Sequence, residues 1–176
     1  PHHAQAPRFN AGAIYTAWSD RRIRLAYAGY LGHMWELYVM WAWIAAAVAS
    51  SYAVVMAEED AVSFSRLTAF IAISAGGVFS IAAGLYADRF GKARTTIIAM
   101  SVSGAAAIAT AVSLGGPLWL TFVLVVIWGA SVVPDSAQFS ALVADFAPPE
   151  QAGSLMTLQT ALGFALTFVT VQLAPM

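Results

Sequence analysis

Five apolar runs, each close to or beyond the length of a membrane crossing, dominate this chain: Leu25 to Met56, Arg66 to Ala87, Thr95 to Ser113, Pro117 to Ala147 and Ser154 to Ala174. A helix needs about 20 predominantly apolar residues to cross the hydrocarbon core. In lipid, such a segment satisfies its backbone N–H and C=O groups internally only by being helical. The expected fold class is therefore all-α and integral to a membrane, a bundle of five transmembrane helices. Composition agrees, with 60% of residues hydrophobic and 10% charged; a soluble domain carries about 25% charged residues. The lipid bilayer is the expected solvent and partner. The net charge of −1 argues against a nucleic-acid partner. The absence of cysteine excludes disulfides and thiolate metal sites, and no metal or cofactor is expected.

The breaks between the runs set the organisation. Residues 1–24 read as a cytoplasmic linker, ending in the basic cluster Arg21-Arg22-Ile23-Arg24, with residues 25–176 as the transmembrane domain. His2-His3 reads as a linker or tag remnant rather than a metal pair. A start at Pro1 reads as a piece of a longer protein. The first run is long enough to tilt, to kink near Ser50-Ser51 or to project beyond the bilayer. Glu58-Glu59-Asp60 reads as an acidic loop, Gly115-Gly116-Pro117 as a tight turn and Pro148-Pro149-Glu150 as a helix break. Pro117 suits a first helical position, and Pro134 predicts a kink in the fourth run. Gly76, Ser80 and Gly84 recur every four residues, a stripe that permits close helix approach. Counted along five spans, Arg8, Arg21, Arg22, Arg24, Arg89, Lys92 and Arg94 fall on one side and Arg66 on the other. By the positive-inside rule the first side is cytoplasmic.

An ionisable side chain within a span costs at least about 2.5–3.5 kcal/mol, so its presence asks for a function. His33 and Glu36 lie three apart on one helical face, continued by Gly29 and Met40. At 1.5 Å per residue Glu36 is roughly 18 Å from Arg24, and Asp135 roughly 18 Å from Ala147, so both carboxylates come near mid-membrane. Ser131, Asp135 and Gln138 share one face of the fourth helix. The structural alternatives are that His33 and Glu36 hydrogen-bond each other or a missing part of the protein and only fix packing, and that Asp135 satisfies backbone groups freed by Pro134. Trp18 and Trp119 read as interfacial anchors, Trp35, Trp41 and Trp43 as packing or an aromatic wall. The stripe Thr160, Gly163, Thr167, Thr170 reads as an interhelical contact. A membrane-embedded enzyme is not expected, since Asp135 has no second aspartate at its depth.

The segment Gly84-Leu85-Tyr86-Ala87-Asp88-Arg89-Phe90-Gly91-Lys92-Ala93-Arg94 fits the pattern G-x-x-x-D-R-x-G-[KR]-x-[KR], which resembles the loop signature of the major facilitator superfamily of secondary transporters. Ala141 to Gly153 resembles that family's exit from the fourth helix of a half, with Ala152 where an arginine is usual. Gly29 to Tyr38 is similar to the seventh helix of certain bacterial members. The resemblance implies five helices of a six-helix half, spans seven to eleven, with the last helix missing. Each half of that superfamily is built from three-helix inverted repeats, with the site near the midplane. The implied function is secondary active transport of a small solute across a bacterial cytoplasmic membrane by alternating access, coupled to protons or ions. The implied partner is the N-terminal half of the same transporter. By the same resemblance the first and fourth helices of the half line the cavity, placing His33, Glu36, Asp135 and Gln138 around one chamber for substrate or proton coupling. Glu36 is the leading coupling carboxylate and Asp135 the next. Gly84, Asp88, Arg89, Gly91, Lys92 and Arg94 form the conformational gating loop, with Asp88 locally paired and Asp145 as the partner of the loop's bases. A non-transporting receptor or scaffold of the same fold is the alternative.

Overall fold

The computed structural model describes residues 9–174; His2, His3 and Arg8 lie outside them. Seven helices follow in order: α1 (Gly12–Ser19), α2 (Arg21–Tyr52), α3 (Glu58–Phe90), α4 (Lys92–Ser113), α5 (Leu118–Val132), α6 (Ser136–Phe146) and α7 (Ala152–Leu173), with no strand among the described residues. Four segments are long and apolar enough to cross a membrane: α3, α4, the α5–α6 pair and α7. That makes the chain an all-helical protein of the integral membrane type. The first expected span is the exception. α2 has 32 residues, more than the length required, but its three arginines, His33, Glu36 and four tyrosines make it less apolar than the other four.

α2 is the axis of the bundle. Leu37, Met40, Ile44, Val48 and Tyr52 meet Ala61, Ala69 and Ala72 of α3 and Val125 and Val132 of α5 in one core cluster. Ile23, Ala26 and Tyr27, at the other end of α2, meet Ala13 and Ala17 of α1, Val143 of α6 and Leu155 of α7. Between them Tyr30 and Met34 pack with Phe139. The buried positions of α2 recur at helical spacing along its whole length, so one face serves three sets of neighbours.

Several local expectations change. The linker is not loose: residues 12–19 form α1, whose Ala13 and Ala17 are fully buried, and the Asn10 N–H donates to Ser154 Oγ of α7 at 2.8 Å. Asp20 caps α2, accepting from the Arg22 N–H at 2.8 Å and the Ile23 N–H at 3.4 Å. The Arg22 backbone N–H in particular holds its carboxyl below the ordinary value of 3.8. The cap's contribution is therefore present above that ordinary value and is lost as pH falls through the lowered one. α2 runs unbroken through Ser50 and Ser51. The Ser51 hydroxyl, instead of marking a kink, accepts from the Gly115 N–H at 2.7 Å and pins the α4–α5 turn to α2. Glu58, Glu59 and Asp60 are not a loop but the first turn of α3, where carboxylates face the positive end of the helix dipole. Pro117 is the cap residue before α5 rather than its first helical residue.

The charged segment is hardly a loop either. α3 continues through Gly84, Asp88 and Arg89 to Phe90, and α4 begins at Lys92. Leu, Tyr, Ala, Arg and Lys are all compatible with helix, so the chain turns at Gly91 alone, with φ 95° and ψ 143°. That conformation is close to one reserved for glycine and costs other residues about 1–3 kcal/mol. Gly91→Ala should lower the stability of the detergent-solubilised protein by that amount, read as a lower midpoint in thermal unfolding. An unchanged midpoint would mean that the joint relaxes freely.

Candidate functional site

Pro134 creates the site. It has no N–H and its ring clashes with the carbonyl one turn back, so the helix stops at Val132 and resumes at Ser136. The Ser136 N–H turns to Val133 O at 3.1 Å, and Asp135 O accepts from the Gln138 N–H at 3.0 Å. The Asp135 side chain makes no capping bond to α6, so it does not serve the backbone freed by the proline. It points at α2, where Oδ1 lies 2.8 Å from His33 Nδ1, with both side chains about 1–2% exposed. The contact is close in distance but not aligned as a hydrogen bond. The other ring nitrogen, Nε2, is 2.6 Å from Ser136 Oγ. Both nitrogens of one buried imidazole thus address the α5–α6 break.

Apolar and aromatic side chains seal this cluster. The Phe139 and Tyr30 rings lie 6.0 and 6.4 Å from the imidazole. Phe139 reaches it because Gly29 has no side chain: a Cβ there would meet the ring at 2.5 Å. In this setting one proton decides the charge of the pair. With one shared proton it is either an ion pair or a neutral couple, and in both cases the net charge is zero. A second proton makes it cationic, which is costly in a water-poor interior.

Glu36 is held elsewhere. Oε1 accepts from the Trp128 indole at 2.7 Å and Oε2 from the Ser103 hydroxyl at 3.3 Å. Glu36 is half-buried and joins α2 to α4 and α5, and the alternative His33–Glu36 hydrogen bond is not formed. Gln138 is buried but takes no part in the bonds of His33 or Glu36. Ser131 returns its hydroxyl to the carbonyls of Ile127 and Trp128. The four expected chamber residues therefore divide, with His33 and Asp135 together and Glu36 one helical turn away. A groove of about 500 Å³ between α3, α4 and α5 is lined by none of them.

At the N-terminal end of α4, Lys92 Nζ is 2.5 Å from Asp145 Oδ2 of α6, so Asp145 is where the structure places this ammonium. Asp88 is exposed and forms no ion pair among the described residues, contrary to its expected local pairing. Arg89 and Arg94 both lie over the Phe90 ring, 5.3 and 5.9 Å from its centre. Gly84 sits inside α3 with open space where a Cβ would stand, unlike Gly76, which faces α5 at close range; only part of the small-residue stripe is used.

Trp18 and Trp119 are exposed, as are Trp35 and Trp41; Trp43 donates to Val171 O of α7 at 3.1 Å. On α7, Gly163, Thr167 and Thr170 are buried and Thr160 is exposed, with Gly163 against the Tyr30 ring. Sequence reasoning misses Ser136, Ser103 and Trp128. Ser136 adjoins Asp135, a signal sufficient to find it. Nothing local distinguishes Trp128 from five other tryptophans or Ser103 from its small neighbours. Also missed is Gln159, fully buried on α7, whose Oε1 is 3.5 Å from Ser140 Oγ. Compared with models of known protein families, with curated proteins and with solved structures, the chain matches none.

Proposed function

We propose that the chain is part of a secondary active transporter of a small solute, one half of a major-facilitator-type protein, with the His33–Asp135 pair as its proton-coupling group. The observation that carries the reading is this pair, buried at a helix break in a bundle of membrane-length helices. Ionisable groups in a membrane interior mark ion or substrate pathways by default. Interrupted helices are where transporters build such sites. The resemblance of residues 84–94 to the superfamily signature supports the same reading, as does the Lys92–Asp145 bond, which ties α4 to α6 at one end of the bundle. Here α2 is counted as the fifth span, its polar groups tolerated because neighbouring helices satisfy them. The partner is the N-terminal half of the same transporter, in a bacterial cytoplasmic membrane.

The test uses the full-length protein in sealed vesicles loaded with a pH-sensitive dye. Sugars, amino acids, organic anions and organic cations are added in turn. One class should elicit proton movement and accumulate, and a protonophore should abolish the accumulation. Saturable binding of a solute without any flux would instead identify a receptor-like relative and overturn the transport reading.

Orientation follows from the same proposal. Ala93 and Ala57 are both exposed and lie at opposite ends of α3, whereas Ala61 is fully buried and unsuited to labelling. Cysteine at Ala93 should react with an impermeant maleimide only from the cytoplasm, and cysteine at Ala57 only from outside. Labelling of the Ala93 site in intact cells reverses the orientation.

A further inference from the structure

We propose that the cleft between α3 and α4 is a binding site for an anionic phospholipid of the cytoplasmic leaflet. The cleft exists because both helices pack on α5 more extensively than on each other. Its floor is Ile127 and Ala130 of α5 with Pro134 of the break that follows, and its walls are Phe79, Ala83 and Tyr86 of α3 and Thr95, Ala99 and Val102 of α4, enclosing about 500 Å³. The lining is almost wholly apolar, and Phe79 and Val102 are 55% and 43% exposed. An acyl chain matches that chemistry.

The end of the cleft selects the headgroup. On α4, Lys92, Thr95, Ala99 and Val102 follow one another at intervals of three or four, so Lys92 heads the stripe that lines the cleft. On α3, Phe79, Ala83, Tyr86 and Phe90 do the same, and the Tyr86 and Phe90 ring centres lie 4.5 Å apart at a tilt of 34°. A second concavity, about 620 Å³, lies at the Gly91 joint, where the same two helices meet, and is lined by Asp88, Phe90, Lys92, Arg94, Leu142 and Asp145. Lys92 and Asp145 neutralise each other. Arg89 and Arg94 remain, with no carboxylate partner among the described residues, against the single carboxylate of Asp88. The local charge is positive where the apolar cleft opens. An amphiphile with an acyl chain and an anionic phosphate head is complementary to both parts at once, and juxtamembrane Arg and Lys draw anionic lipid in general. The site does not depend on the protein being a transporter.

The test is photo-labelling of the full-length protein in nanodiscs, with phosphatidylglycerol or phosphatidylcholine carrying a diazirine on one acyl chain. Adducts are mapped by peptide mass spectrometry. Phosphatidylglycerol should label residues 79–86 and 95–102 in preference to phosphatidylcholine. Arg89→Gln and Arg94→Gln should each lower that preference about fivefold, the effect of one cation at a membrane surface. Ala82→Trp, at an exposed position lining the cleft, should block labelling there while Phe168, 75% exposed on α7, is labelled as before. Equal labelling by both lipids, or a preference untouched by the arginine substitutions, would reduce the cleft to ordinary lipid contact. Absence of labelling in the cleft, with Phe168 labelled, would mean that protein covers it. Either result overturns the proposal.

Discussion

Valine at Gly129 should prevent α3 and α5 from reaching their native separation. These helices cross with Ala72 and Gly76 of α3 facing Gly129 of α5 and Val133 just past its end. A Cβ on Gly129 would lie 2.6 Å from the Ala72 carbonyl carbon and 2.8 Å from the Ala72 Cβ, and a Cβ on Gly76 would lie 2.7 Å from Gly129 O. The obstruction is backbone against backbone, so no rotamer change relieves it. Overpacking of ordinary cores costs about 1–3 kcal/mol, and this position belongs at or above the top of that range. The same separation would draw Trp128, the adjacent residue, away from Glu36. In detergent, Gly129→Val should unfold well below the parent protein or fail to accumulate, with Gly129→Ala intermediate. Gly104→Ala is the control, because nothing lies within 4 Å of a Cβ there. Equal thermal midpoints for Gly129→Ala and Gly104→Ala would show that the crossing is not tight.

The close crossing illustrates what can be read from the chain and what cannot. The apolar runs specify the long helices, because lipid leaves the backbone no other arrangement, and Pro134 specifies the α5–α6 break, because a missing N–H acts locally. The charged segment misleads for an equally local reason. Arginine, lysine, leucine and alanine favour helix, so charge marks an aqueous position without marking a loop, and the turn falls on Gly91, the segment's one glycine with positive φ. The stripe Gly76, Ser80, Gly84 is visible, but which glycine meets a neighbour depends on where α5 crosses. The polar cluster is legible as a set of residues and not as a set of bonds. His33 and Glu36 do share a face of α2. Since α5 and α6 run past α2 in the opposite direction, His33 meets Asp135 while Glu36, further along, meets Trp128, seven residues earlier. Pairing of this kind is a property of helix register, which no single helix records.

That pairing decides how the coupling hypothesis is to be tested. Depth does not separate the two carboxylates, each roughly 18 Å along its helix, but Glu36 is half-buried, with one oxygen on an indole N–H and the other on a hydroxyl. Asp135 is sealed, with Oδ1 2.8 Å from an imidazole that can itself take up or release a proton. A carrier must alternate between charge states as the protein alternates between conformations, and a ligand or proton shifts such an equilibrium only by its differential affinity for the two states. The sealed pair is the candidate for that role: the net charge of the His33–Asp135 couple changes with a single proton, in surroundings that penalise charge. In the full-length protein, under the proposed transport function, Asp135→Asn should abolish accumulation against a gradient while sparing solute exchange. For a one-proton symporter a tenfold proton gradient supports up to about tenfold accumulation, so the variant should fall to a ratio of about one. His33→Ala should move the pH profile of uptake. Glu36→Gln should keep proton-driven accumulation, because an amide can still accept from Trp128, and should differ mainly in stability. Loss of accumulation in Glu36→Gln with retention in Asp135→Asn would return the coupling role to Glu36 and leave the buried pair as a structural clasp between α2 and the α5–α6 break.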